Sequence, residues 1–519
     1  MDVNTRISAV WRKAAAPAIG LALGVAVLGV AAVGMSQPPP LAGATPMAGP
    51  SQPQQSQPPQ PVQTFTVPQV SLRPDQVALL ERALGQAETH GFERGAFMPA
   101  GLDNLLQSRD PNARRSGQTL LVVNVLHYAK AVHSGRLGPG DFLHDWGLHP
   151  PAYDPGPDFA QAVQQDRLAP WLDSLPPPYT GYDALRRALA VYRGIAQRGG
   201  WTPLAAGPEL KLGMSDPEVI ALRARLAAED QTVSAGGPLF DAGLAQAVTR
   251  AQKRYGLEPT GTLNKQTLAA LNVPVAQRVA QIIVNMERWR WLPQELPEDR
   301  IQVNIAAAVL TVFHNDTPTL SMRAVTGRPG DETPMLSSVI SSVVFNPPWN
   351  VPSDIAQREL WPKERAHPGY LARNEFVVVH TPDGGVRLQQ KAGDKSALGH
   401  VKFDFPNIYS VYLHDTPSHG AFAGYGRMVS HGCVRLEKPV VLANAVMQGD
   451  AKWTPDQIDQ TIASGDTIRA PLPRPISVFL FYWTAFASAD GQVVSFRADP
   501  YDWDRALMQR IDASNHPVT

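Results

Sequence analysis

The period of the hydrophobic positions divides this chain into segments. From Arg73 to Trp201 they recur at helical spacing: Val77, Leu80 and Leu84, then Leu120, Val123 and Leu126, then Leu185, Leu189 and Tyr192. Leu137-Gly138-Pro139-Gly140 and Pro176-Pro177-Pro178 interrupt them. Gly213 to Pro274 predicts three shorter helices. Pro217 after Asp216 suits a first turn, with Val219, Leu222 and Leu226 on one face. A second helix turns Leu244 and Val248 inward and ends at Gly256 as a left-handed cap. Asn264 caps the third, with Leu263 and Leu268 as a hydrophobic staple. A connecting helix over Val279 to Trp291 follows, its Met286 to Trp291 end supplying aromatic packing.

The period then falls to two. Ile301, Val303 and Ile305, then Leu320, Met322 and Ala324, flank a turn at His314-Asn315-Asp316. Val478, Leu480 and Tyr482 before Asp490-Gly491 and Val493 predict a late hairpin. A short helix from Pro439, with Val440, Leu442, Ala443 and Val446, is expected to pack behind a Gly-rich loop at 424–435. The predicted class is multidomain α+β, with a helical scaffold over 71–201, a three-helix domain over 213–274, a β-rich domain over 278–505 and a tail over 506–519.

The first residues change the picture. Arg6, Arg12 and Lys13 precede Ala14 to Met35, an uncharged run long enough for the roughly 20 residues that a membrane helix needs. The basic flank would keep the N-terminus cytoplasmic and put the rest outside the inner membrane, in the periplasm. We read 1–36 as a cytoplasmic stub with an anchor, a cleaved signal peptide ending at Ala32-Val33-Gly34 being the alternative. Residues 37–70 are Pro- and Gln-rich with no charged residue, a polyproline-biased tether reaching roughly 100 Å at about 3.1 Å per residue.

Lys plus Arg and Asp plus Glu both number 46, so no broad basic face for nucleic acid is implied. Cys433 is the only cysteine among 519 residues, which excludes an intramolecular disulfide. Gly432 and His431 flank it, and Arg427 and Arg435 are near in sequence, surroundings expected to lower the thiol pKa and make the sulfur a nucleophile. A nucleophilic cysteine needs a base. His414, after the strand-like Tyr409 to Leu413, is one candidate, and His431, two positions from Cys433, is another. Asp415 has the look of a triad acid, although neighbours on an extended segment point to opposite sides. A rival reading joins His414, His431 and Cys433 as zinc ligands. His127, His144 and His149 read as surface or core histidines.

Tyr412-Leu413-His414-Asp415-Thr416-Pro417, then Arg427 and Ser430-His431-Gly432-Cys433-Val434-Arg435, resembles the catalytic signature of the L,D-transpeptidases, bacterial cell-wall enzymes. Val325-Thr326-Gly327-Arg328 with Thr333-Pro334, and Phe345 to Pro352, resemble family strands bordering the cleft. Phe240-Asp241, Ala247-Val248, Gln252, Tyr255-Gly256-Leu257 and Thr260-Gly261 resemble a peptidoglycan-binding domain, and Tyr182, Leu185 and Gly199-Gly200-Trp201 the scaffold of large members. The resemblance implies Cys433 as nucleophile, His414 as base oriented by a backbone carbonyl, His431 in support and oxyanion donors around Gly432 and Cys433. It also implies peptidoglycan tetrapeptide stems as donor and acceptor, no cofactor, acylation by carbapenems and a glycan-synthesising partner. Trp349, Asn350, Tyr412, Ser430, Arg427 and Arg435 are the candidate substrate contacts, with bracing favoured for Arg427 and Arg435 left open. Large members carry a lid over the site, and Leu371 to Leu398 looks short for one.

Overall fold

The computed structural model describes residues 67–380, 385–487 and 493–515. The anchor, most of the tether and the Asp490-Gly491 turn lie outside the described residues. Gln60–Thr519 form one unit. Among the described residues, no single helix is long and apolar enough to cross a membrane.

The scaffold is helical: Pro74–Gly85, Leu102–Leu106, Pro111–Ser134, Pro155–Gln164 and Leu168–Ser174 surround a core of Leu80, Leu84, Leu121, Val125, Leu126 and Phe159. Asp110 and Asp154 cap two of these helices by accepting from Asn112 N and Gly156 N, each with proline in the first turn. The helix Thr180–Gln197 leaves that core. It turns Tyr182, Leu185, Leu189 and Tyr192 into the larger core shared with the rest of the chain. The three-helix domain forms as its caps predict, over Glu218–Ala227, Ala242–Arg254 and Lys265–Leu271, with Gly256 at φ +69° and the Asn264 side chain accepting from Thr267 N. The connecting helix runs Val275–Trp289, and Trp289 stacks on Trp483 at 4.3 Å.

Among the described residues, fourteen strands follow in chain order. They are β1 (Asp299–Asn304), β2 (Val309–His314), β3 (Thr317–Gly327), β4 (Leu336–Phe345), β5 (Trp349–Asn350), β6 (Phe376–His380) and β7 (Val386–Gln390). Then come β8 (Val401–Asp404), β9 (Leu413–His414), β10 (Met428–Ser430), β11 (Val434–Leu436), β12 (Ile468–Phe481), β13 (Ala485–Ala487) and β14 (Val494–Phe496). The main sheet has the order β10-β3-β11-β9-β8-β4-β12-β1-β2, and β2 pairs back onto β3, so the ring from β3 round to β2 closes on itself. Ile301, Val303, Leu310, Ala324, Leu413, Val434 and Leu436 fill its interior, as the alternation predicts.

Three expectations need correction. Val478 to Tyr482 is not the first arm of the late hairpin: β12 pairs with β1 and β4, and the hairpin is β13 with β14. Period two shows that a segment is a strand, not which strand lies beside it. The expected tail over 506–519 is helical as far as it is described: residues 506–515 belong to the helix Trp503–Asn515, which buries Trp503, Leu507 and Ile511. The insert between Trp349 and Leu398 is not short. It holds helical turns between Ser353 and Arg373 and the small sheet β5-β7-β6, around its own core of Val351, Ile355, Leu360, Leu371, Phe376 and Leu388.

Candidate active site

The site is built where β9 and β11 run parallel, with Leu413 opposite Val434 and His414 opposite Arg435. Alternation sends Leu413, Val434 and Leu436 inward. Tyr412, His414, Cys433 and Arg435 therefore share the other face. Lys402 joins them, since β8 pairs it with His414. Its ammonium sits 4.2 Å from the Tyr412 ring centroid and 3.1 Å from Asp404.

His414 is buried, and its Nδ1–H donates to the Asp415 carbonyl. The proton is thus fixed on Nδ1 and Nε2 is left as the acceptor. Burial, then the charge of Arg435, lowers the imidazole pKa to about 3 despite that hydrogen bond, so His414 is neutral at any ordinary pH. The Asp415 carboxylate is no triad acid: it accepts from His400 N at 2.8 Å and Thr416 N at 2.7 Å, and only the backbone carbonyl meets the imidazole.

The cysteine departs from expectation. Burial pushes the Cys433 thiol up from its ordinary value and outweighs the Tyr412 N–H and hydroxyl, Lys402 and Arg435, which all favour the thiolate. Nearby arginines in sequence suggested the opposite, but Arg427 is spent elsewhere. It donates to the carbonyls of Ala324, Gly424, Ala307 and Ala308, which makes it a brace of the barrel and not a substrate contact. The resting pair is a neutral thiol and a neutral imidazole. The thiol donates to the Ser410 carbonyl at 3.9 Å, and Ser410 itself sits at φ +56° in a loop pinned by the Asn407 side chain.

The nucleophile loop is tightly held. Ser430, buried, donates to the Cys433 carbonyl at 2.6 Å and accepts from Gly432 N at 3.3 Å, so it shapes the loop and does not face a substrate. Gly432 sits at φ +102°, a conformation open to glycine, and a Cβ there would lie 3.3 Å from the Glu332 carbonyl. His431 turns away from the sulfur to Glu359 of the insert, Nε2 to Oε1 at 2.7 Å. It is neither the rival base nor, with His414 and Cys433, a zinc site: among the described residues no three His, Cys, Asp or Glu side chains form a metal-holding group. Trp349 lies beside Tyr412, while Asn350 accepts from Gln389 within the small sheet, on an exposed edge.

Residues 298–458 match the family model of the L,D-transpeptidase catalytic domain. The match is to that one domain and spans less than half of the chain. Residues 72–189 match a model described as "Scaffold domain", and 215–271 one described as "Putative peptidoglycan binding domain". A relative from Haemophilus influenzae, named "Putative L,D-transpeptidase", is 32% identical over 266 residues, 47% of this chain and 53% of its own length. The match thus spans about half of that relative. Among solved structures, an L,D-transpeptidase from Mycobacterium smegmatis is similar at 19% identity over 36% of this chain and 58% of its own, with a TM-score of 0.18. One from Xylanimonas cellulosilytica is similar at 14% over 53% and 99%, with a TM-score of 0.17. Scores this low carry no argument about the site.

The site also holds residues that the sequence did not single out. Lys402 was legible as the polar side of Val401-Lys402-Phe403-Asp404. Glu359 was not, because nothing in its neighbours points to His431. Burial opposes its charge, but the contacts with His431 and Arg328 hold its carboxyl below the usual value. The scaffold reaches the site too: Tyr409, next to Ser410, donates to the His144 carbonyl at 2.8 Å, with the His144 ring against it.

Proposed function

We propose that the chain is an L,D-transpeptidase that forms 3,3 cross-links in peptidoglycan through an acyl-enzyme on Cys433. The observation that carries this reading is the pairing of β9 with β11, which puts the Cys433 thiol and a neutral His414 with a free Nε2 on one face. The donor is a tetrapeptide stem. As sulfur attacks the carbonyl at the L-centre of diaminopimelate, Nε2 takes the thiol proton. The tetrahedral oxyanion is met by N–H groups around Gly432 and Cys433, a donor type worth about 2.7 to 4 kcal/mol each. Collapse expels D-Ala, which leaves with the proton from His414. The side-chain amine of a second stem then attacks the thioester, passes its proton to Nε2 and frees the thiol. Arg435, whose charge already acts on the Cys433 thiol, and Lys402 offer cations to a stem carboxylate beside the reacting carbonyl. Residues 215–271 would hold the polymer nearby.

The test is mass spectrometry of the purified chain with tetrapeptide muropeptides, beside Cys433→Ala. A cross-linked dimer formed with loss of D-Ala, and only with Cys433 present, is the expected result. A tripeptide monomer alone would make the enzyme an L,D-carboxypeptidase, and transfer only to a protein amine would make it a stem-to-lipoprotein transferase. No product from either protein, while the chain still pellets with peptidoglycan, would leave only a peptidoglycan-binding scaffold, and unchanged products with Cys433→Ala would overturn the acyl-enzyme on Cys433.

A further inference from the structure

A hydrogen-bonded relay reaches the nucleophile loop from outside the matched catalytic domain. The Thr333 hydroxyl donates to the Gly432 carbonyl at 2.6 Å and accepts from Gly327 N at 2.8 Å. The Tyr501 hydroxyl accepts from Thr333 N at 3.2 Å and donates to the Gly327 carbonyl at 2.5 Å. Every donor in this square has an acceptor, and all four residues are buried. Tyr501 is fixed in turn: its ring stacks on Tyr482 at 5.1 Å, and the Tyr482 hydroxyl donates to Asp499 at 2.7 Å. Asp499 also accepts from Trp503 N and Asp504 N at the start of the C-terminal helix.

What the relay holds is a carbonyl, and its effect follows from peptide geometry. The Gly432 C=O and the Cys433 N–H belong to one planar trans peptide, so they point in opposite directions. Clamping the carbonyl on Thr333 therefore sets the direction of the N–H. Ser430 holds the groups on either side, the Gly432 N–H and the Cys433 carbonyl, but the bond on this peptide itself is the one from Thr333, and Gly432 at φ +102° has a glycine's freedom to turn without it.

We propose that Tyr501, acting through Thr333, is a positioning residue that aims the Cys433 N–H at the oxyanion of the acylation step. The inference rests on the acyl-enzyme chemistry proposed above. It gives the C-terminal segment, which lies beyond residues 298–458, a part in the reaction.

The experiment compares the full-length chain with Tyr501→Phe, Thr333→Val, Thr333→Ser and the Tyr501→Phe/Thr333→Val pair. Tyr501→Phe removes one hydroxyl and keeps the stacked ring. Three rates are read per titrated thiol: acylation by a carbapenem, D-Ala release from tetrapeptide, and alkylation by iodoacetamide, which forms no oxyanion. Loss of an oxyanion donor costs about 10²–10³-fold in known cases. A misaimed donor is expected to slow acylation about tenfold or more in Tyr501→Phe and Thr333→Val. The kcat for D-Ala release should fall with KM unchanged, and alkylation should stay within about twofold. Thr333→Ser, which keeps the hydroxyl, should restore acylation, and the pair should be no slower than Thr333→Val. Acylation unchanged in Tyr501→Phe would overturn the proposal, and so would acylation and alkylation falling together, which marks a merely disordered loop. Should Thr333→Val fail to fold, Tyr501→Phe and Thr333→Ser still decide. A wild type that is acylated but releases no D-Ala overturns the proposed function alone; one that resists acylation overturns both.

Discussion

At the scale of the residue, the site works by neutrality. A thiolate-imidazolium pair would need both pKa values near neutral, but burial lowers His414 to about 3 and raises Cys433. On the chemistry proposed above, attack would be concerted with proton transfer, because the raised thiol leaves little thiolate near neutral pH. The sign follows directly. An imidazole that is already deprotonated adds no limb near pH 6.5, and a raised thiol pKa delays thiolate formation to the alkaline side. Iodoacetamide alkylation of Cys433 in the free enzyme should rise with pH beyond 9, with no inflection between 6 and 7. Stopped-time mass spectrometry checks this, and a plateau at neutral pH would contradict it. His414→Ala should lower D-Ala release per titrated thiol by about 10²–10⁴-fold, the usual contribution of a general base.

At the scale of the element, each loop around Cys433 is held by a different part of the chain. Glu359 of the insert holds His431, Thr333 holds Gly432, and the scaffold segment 144–147 holds the loop of Ser410 through Tyr409. Gly147 allows the last contact, since a Cβ there would lie 2.5 Å from the Tyr409 hydroxyl and 3.0 Å from the Met335 carbonyl. Gly147→Ala should push Tyr409 aside and loosen the loop beside the sulfur. We expect raised hydrogen exchange over 405–411 and acylation slowed several-fold; exchange unchanged there would show that Tyr409 does not transmit the contact. The reading of these elements was uneven for a physical reason. Caps such as Asn264 and turns such as Asn315-Asp316, both at positive φ, are local and legible. The helical turns of the insert are short and bury Ile355, Leu360 and Leu371 against one another over long loops, so no run of one period marks them.

At the scale of the whole molecule, the domains are joined through buried charge. Glu287, fully buried on the connecting helix, accepts from Arg136 N at 2.6 Å and Arg136 Nε at 3.3 Å of the scaffold, and from Arg290 at 2.8 Å. Arg290 also donates to the His90 carbonyl and to Tyr182. One carboxylate thus serves two buried guanidiniums. Removing it leaves both without an anion, and breaking such a buried pair costs about 3–5 kcal/mol. Glu287→Gln should therefore lower the unfolding midpoint in denaturant by that measure while leaving acylation per titrated thiol near wild type. A midpoint shift of less than about 1 kcal/mol would mean that the junction relaxes or admits water.

The sequence by itself determined what depends on neighbours in the chain. It marked the helices and their caps, the change to period two near Arg278, and a motif holding His414, Cys433 and Arg435. The family resemblance implied a backbone carbonyl near Asp415, not the Asp415 carboxylate, as the partner of the base. Only the tertiary structure decided which strands pair, what each charge is spent on and how far each group is buried. Arg427 sits close to Cys433 in sequence yet is used by backbone carbonyls, whereas Lys402, Thr333, Glu359 and Tyr501 are distant and serve the site. Solvation and long-range pairing depend on what the fold brings together, and a thiol that looks electropositive along the chain is therefore raised by burial within it.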